Sequence, residues 1–211
     1  MASESSSWRI VLTFVLFLFV VATFIPQPAS ASPLKEASAL PKLKTFVQSV
    51  KNGEANSVRG VYADGLFALP VVQQSGNGSS YVSAEPNTLT QFAAALTYGN
   101  IGLLAHDFLA GAYFSQLSTG QEIQLVYGDG RIINFMVAGI YRYQAMEPNN
   151  VYSKFIDLNS HNNLSATQLF EKVYMGSTHI TFQTCIEANG NSSWGRLFVI
   201  ADPQPSTHQT K

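Results

Sequence analysis

The chain has 211 residues, 46% of them hydrophobic and 12% charged, with a formal net charge of −1. That length accommodates one ordinary globular domain with a real core, plus extra segments. The near balance of charge, with no basic block, lacks the electrostatic footprint of nucleic-acid binding, so neither DNA nor RNA is an expected partner.

Met1–Arg9 is polar, and Ile10–Ile25 is an apolar stretch of 16 residues uninterrupted by charge. Pro26, Pro28 and the small residues Ala29-Ser30-Ala31 follow, in the form of a signal-peptidase site. The stretch is short for a membrane span, which needs about 20 residues. Residues 1–31 therefore read as an export signal cut before Ser32, with a retained membrane anchor as the other reading. Both put the domain outside the cytoplasm, secreted or tethered to the outer face of the membrane.

Residues 32–57 read as a linker and a short helix, which Pro41 opens and in which Leu43, Phe46, Val47 and Val50 share one face. From Val58 the pattern is mostly that of strands. Val58–Gln74 is β-like but broken by Gly65 and Pro70, which suggests a bulge or an edge strand. Ser75–Ser80 is a Gly/Ser loop. Asn87–Asn100 is expected to be a helix, capped by Asn87 or Thr88 and stopped by Gly99-Asn100.

Ile101–Ala105 is a short apolar strand leading into His106. Two strand patterns flank Gly128-Asp129-Gly130, a hairpin turn that needs positive φ angles. Ser165 and Gln168 form a capping box for a helix. His179–Cys185 and Arg196–Asp202 are the last two strands, and "IEANGNSSWG" between Cys185 and Arg196 reads as a loop. The main domain spans 58–203 and the tail 204–211 reads as disordered. The sum is a mainly-β domain, a closed barrel or a sandwich, with two or three short helices.

Cys185 is the only cysteine. Exported proteins usually pair their cysteines, so an unpaired one points to intermolecular pairing or a reactive thiol, against the plain alternative of a buried filler. A thiol becomes nucleophilic beside a cation or an imidazole. His179 lies six residues upstream on the same strand face, roughly 20 Å away at ~3.3 Å per residue and too far to pair. His161 and His208 sit in polar segments and read as solvent-exposed. Elimination leaves His106, which by itself reads equally as a histidine at a core edge. Arg196 reaches the thiol only if its strand pairs with that of Cys185. One Cys and scattered His offer no metal-ligand spacing, and no phosphate loop is present, so no cofactor or metal is expected.

An apolar strand ending Thr184-Cys185, followed by "RLFVIA" from Arg196, resembles the sortase signature. The block "NIGLLAHDFLAGAYFSQLSTGQEIQLVYGDGRIINFMV" also resembles the sortase segment around its histidine, and the separations of 79 residues from His106 to Cys185 and 11 on to Arg196 agree in order and size. The resemblance covers about Val58–Asp202. It implies a closed sortase-like β-barrel of about eight strands. It also implies a cysteine transpeptidase that cleaves a sorting-signal peptide through a thioacyl-enzyme and transfers it to an amine. In those terms Cys185 is the nucleophile, His106 the general acid and then base, and Arg196 the oxyanion and substrate ligand. Thr184 lines the oxyanion site, and Trp194, in a segment unusual for the family, helps shape the substrate groove. A thiol peptidase that only hydrolyses, or an exported barrel that binds without catalysis, are the other readings.

Overall fold

The computed structural model describes residues 40–74 and 80–205. The export or anchor segment, most of the linker, most of the Gly/Ser loop and His208 in the tail lie outside the described residues. Among the described residues no helix is long and apolar enough to cross a membrane.

The backbone is mainly β. Strands β1 (Val58–Ala63) and β2 (Phe67–Gln73) form a hairpin, β3 (Leu89–Phe92) lies parallel to β2, and β4 (Ile101–Leu104) lies antiparallel to β3. β5 (Glu122–Tyr127) and the long β6 (Ile132–Ala145) form the hairpin around Gly128–Gly130, with Gly130 at φ 91°. β7 (Phe155–Asp157) and β8 (Asn163–Leu164) are appended to β6, and β9 (Ile180–Ala188) and β10 (Asn191–Pro203) form the final hairpin. The order is β10-β9-β4-β3-β2-β1-β5-β6, and β10 pairs back onto β6. That pairing closes the barrel and leaves no open edge in the ring.

Alternation along the strands sorts side chains inward and outward. Phe67, Leu103, Phe114, Ile123, Phe182 and Val199 fill the interior, and the rings of Phe67 and Phe114 meet Phe182 edge-on. Each such side chain contributes about 1.5–3 kcal/mol by leaving water. Two smaller cores lie outside the ring. Helix α1 (Leu43–Val50) sets Phe46 and Val47 against Tyr62 and Val126. Gly60 permits this approach, since a Cβ there would lie 2.7 Å from the Phe46 ring. Helix α3 (Ala166–Tyr174), started by the Ser165–Gln168 capping box, packs Leu169, Val173 and Tyr174 with Tyr143, Phe155 and Phe198.

Three local expectations are corrected. Asn87–Asn100 is not one helix: Leu89–Phe92 is β3, and only Ala93–Leu96 forms a single helical turn, α2. Ladders with β2 on one side and β4 on the other outweigh the helical pattern there. The break at Gly65 and Pro70 is neither a bulge nor a barrel edge. Gly65 (φ 70°) makes the β1–β2 turn. Pro70 sits in a strand with neighbours on both sides, but the β3 ladder starts one residue later at Val71, so Pro70 costs no bond to β3. "IEANGNSSWG" is not a loop. It is the β9–β10 hairpin, turned by Asn189 (φ 53°) and Gly190 (φ 73°), with a register shift between Asn191 and Gly195.

Candidate active site

Strand register brings the chemistry-bearing residues together. β4 and β9 run parallel with Leu104 opposite Gln183. That paired register ends two residues before both His106 and Cys185. The ladder is carried past β4 by the Ala105 N–H donating to the Gln183 carbonyl (3.2 Å). On the other side, β9 and β10 are antiparallel with Cys185 directly opposite Arg196, so the two side chains share a face. His106, Cys185 and Arg196 all line one cleft of about 360 Å³, together with Gln183, Thr184 and Val151.

The histidine end is tightly built. The His106 carbonyl accepts the N–H groups of Leu109 (3.0 Å) and Gly111 (2.9 Å), which turns the chain into a 3-10 helix at Ala110–Gln116. The imidazole stacks with Phe108, with ring centroids 5.3 Å apart at 23°, although Phe108 itself is 75% exposed. Thr184 is buried, and its hydroxyl donates to the Ala105 carbonyl (2.9 Å). The hydroxyl is therefore committed to holding the end of β4, immediately before His106.

Arg196 is half-buried. One terminal nitrogen donates to the carbonyls of Ser193 (2.9 Å) and Gly195 (2.8 Å), and the other to Pro148 (3.5 Å). A guanidinium has five N–H donors, so the Nε side keeps donors with no partner among the described residues. Burial pushes the Cys185 thiol up from its ordinary range. Arg196 pulls it down, Asp107 pushes it up further, and the Ser193 hydroxyl pulls it down. Burial wins, and the thiol is held protonated more firmly than in water.

A second, apolar groove of about 310 Å³ continues from this cleft and shares Phe92, Val151, Gln183 and Arg196 with it. Its wall is α3, through Leu169, Phe170 and Tyr174, facing Phe155 and Phe198. Buried Asn100 fixes that wall by donating to the Tyr174 carbonyl (2.9 Å) and accepting the His179 N–H (2.8 Å). His179 is itself buried, with its ring nitrogens against the carbonyls of Ser177 and Val173. It is part of the groove's support and does not line the cleft. His161 is exposed. Trp194, in the β9–β10 hairpin, lines neither the cleft nor the groove.

Asp107, Phe108, Ser193 and Gln183 were not identified as site residues by sequence reasoning. Their neighbours in the chain carried the only signal, since each adjoins or lies near His106, Cys185 or Arg196. Among the described residues, no three or more His, Cys, Asp or Glu gather as metal ligands.

No protein family's sequence profile matches the chain. No curated protein matches it either. Among solved structures, sortase C-1 from Actinomyces oris is similar over 78% of this chain and 82% of its own, at 10% identity and a TM-score of 0.47. Sortase A from Listeria monocytogenes is similar over 70% and 87%, at 12% identity and a TM-score of 0.45. A sortase D5 transpeptidase from Clostridium perfringens is similar over 77% and 87%, at 15% identity and a TM-score of 0.43.

Proposed function

We propose that the chain is a sortase-like cysteine transpeptidase, acting outside the cytoplasm on a peptide sorting signal of exported proteins. The observation that carries this reading is the single cleft holding Cys185, His106 and Arg196, continuous with an apolar groove. The three residues come from separate blocks of sequence whose motifs resemble those of sortases.

In this reading the peptide lies in the groove with its scissile carbonyl over Cys185. The thiol passes its proton to His106 as it attacks, and the sulfur adds to the carbonyl carbon. The free donors on the Nε side of Arg196 face the developing oxyanion, where a fixed donor acts most strongly. His106 protonates the departing amine, leaving a thioester on Cys185, and then accepts the proton of the incoming nucleophile. An amine gives transfer and water gives hydrolysis. Thr184 acts through its hydrogen bond to Ala105 as a positioning residue for His106.

A peptide-library cleavage assay on the full chain, with Cys185→Ala as the control, tests the reading. Cleavage that depends on the thiol and leaves a thioester of matching mass on Cys185 is the expected result. Cleavage that survives in Cys185→Ala, or its complete absence across the library, refutes it.

A further inference from the structure

Gln183, on β9, lines both the cleft and the apolar groove. Phe182 beside it packs into the barrel interior, so strand alternation puts Gln183 on the outer face with Cys185. Its ladder neighbours are apolar, Phe198 on β10 and Leu104 on β4. A polar amide set into such a wall needs partners. One half of it has one: the Tyr174 hydroxyl, on α3, donates to Gln183 Oε1. Tyr174 is itself buried and held among the rings of Phe92, Phe170 and Phe198. With Oε1 tethered, the direction of Nε2 is set as well, and its two N–H donors have no partner among the described residues. Asn150, another polar residue of the groove, is already committed, donating to Glu147 and accepting the Tyr152 N–H.

Residues two apart on one strand face are separated by about 6.7 Å, and an extended acyl chain repeats its carbonyls at the same two-residue interval. We propose, resting on the reading above, that the Gln183 amide donates to the substrate carbonyl two residues before the one that Cys185 attacks. This bond sets which carbonyl reaches the sulfur. The site therefore selects acyl chains with an acceptor at that distance over plain hydrocarbon chains, although the groove is apolar. Tyr174 is a positioning residue that acts through Gln183 by aiming its amide.

Two p-nitrophenyl esters of equal chain length serve as probes, N-acetylglycylglycyl and N-pentanoylglycyl. Only the first carries a carbonyl two residues before the ester. The activated leaving group lets either acylate Cys185 of the full chain whatever peptide the groove takes, and release in Cys185→Ala is subtracted. The readout is the ratio of the two kcat/KM values, which does not depend on how much of a variant is folded. The wild-type chain is expected to favour the first ester about fivefold. Gln183→Leu is expected to bring the ratio close to one. So is Gln183→Glu, which still accepts the Tyr174 bond but offers no N–H at neutral pH. Tyr174→Phe, which keeps the ring and releases the amide, is expected to lower the ratio about twofold. A wild-type ratio near one, or a ratio preserved in either Gln183 variant, overturns the inference. Library peptides cleaved by a chain indifferent to the two esters sink this inference alone. The expected ratios without any peptide cleavage sink the peptide reading and leave the role of Gln183 standing. No Cys185-dependent release from either ester sinks both.

Discussion

Gly111→Ala probes the packing that seats His106. An added Cβ would lie 2.2 Å from the Thr184 hydroxyl oxygen, 2.6 Å from the His106 carbonyl oxygen and 2.9 Å from the His106 carbonyl carbon. Comfortable contact begins at about 3.5 Å, so the pieces must part by about an ångström. Two of those three atoms are backbone of the candidate catalytic residue and cannot rotate away. The third is the hydroxyl that ties Thr184 to Ala105, and turning it aside leaves a buried carbonyl unsatisfied. Overpacking and the lost bond together predict a destabilisation of about 2–4 kcal/mol. A displacement of His106 of this size also predicts a fall in thiol-dependent turnover of about a hundredfold. Urea unfolding measures the first effect and peptide cleavage, once a substrate is in hand, the second. Adding Thr184→Ala removes the nearest clash but not the backbone ones, so the double variant is expected to recover part of the stability and little of the turnover. Gly111→Ala with unaltered stability and turnover would refute this account of how His106 is seated.

Three further substitutions test the electrostatics and the groove wall. Arg196 favours the thiolate and Asp107 opposes it, so the pH profile of Cys185 alkylation by iodoacetamide should move to higher pH in Arg196→Ala and to lower pH in Asp107→Asn. No shift in either variant would mean that burial alone governs the thiol, and shifts in the reverse sense would refute the roles assigned to the two charges. Asn100→Ala strands the Tyr174 carbonyl and the His179 N–H together, for an expected loss of about 2–4 kcal/mol in urea unfolding. A loss well below that range would show that the two groups find other partners.

The sequence patterns that survive folding are those satisfied within a few residues. The β5–β6 turn at Gly128–Gly130, the capping box of α3 and the apolar face of α1 each rest on local geometry, and each is present. The failures come from distant partners. Leu89–Phe92 is a strand because β2 and β4 bracket it, and nothing within Asn87–Asn100 announces those neighbours. The β9–β10 hairpin is a different case. Its Asn189-Gly190 signal is local, but the expected gap between two motifs concealed it. Barrel closure through β10 and β6 was legible in the strand pattern only as one of two alternatives, barrel or sandwich, and the resemblance chose between them. For the candidate site, the pairing of Cys185 with Arg196 follows from adjacent strands. The proximity of His106 depends on a parallel register between β4 and β9, strands separated in sequence by most of the barrel.

The half-buried thiol also bears on how a lone cysteine would persist if the domain is exported, as proposed. Oxidation and disulfide exchange proceed through the thiolate, and susceptibility follows thiolate character and exposure. Burial holds Cys185 protonated against the pull of Arg196, so at rest the reactive form is scarce. The same arrangement need not slow the reaction in proportion. On the proposed reading, a peptide in the groove would exclude water from the cleft, and in that lower dielectric the Arg196 guanidinium would act more strongly on the sulfur and on the oxyanion formed at the attacked carbonyl. Reactivity would then rise with the proposed substrate bound and stay low without it. Both effects depend on Arg196 lying opposite Cys185 on one face of a two-strand ladder, and the two-residue Asn189-Gly190 turn holds the strands in that hairpin.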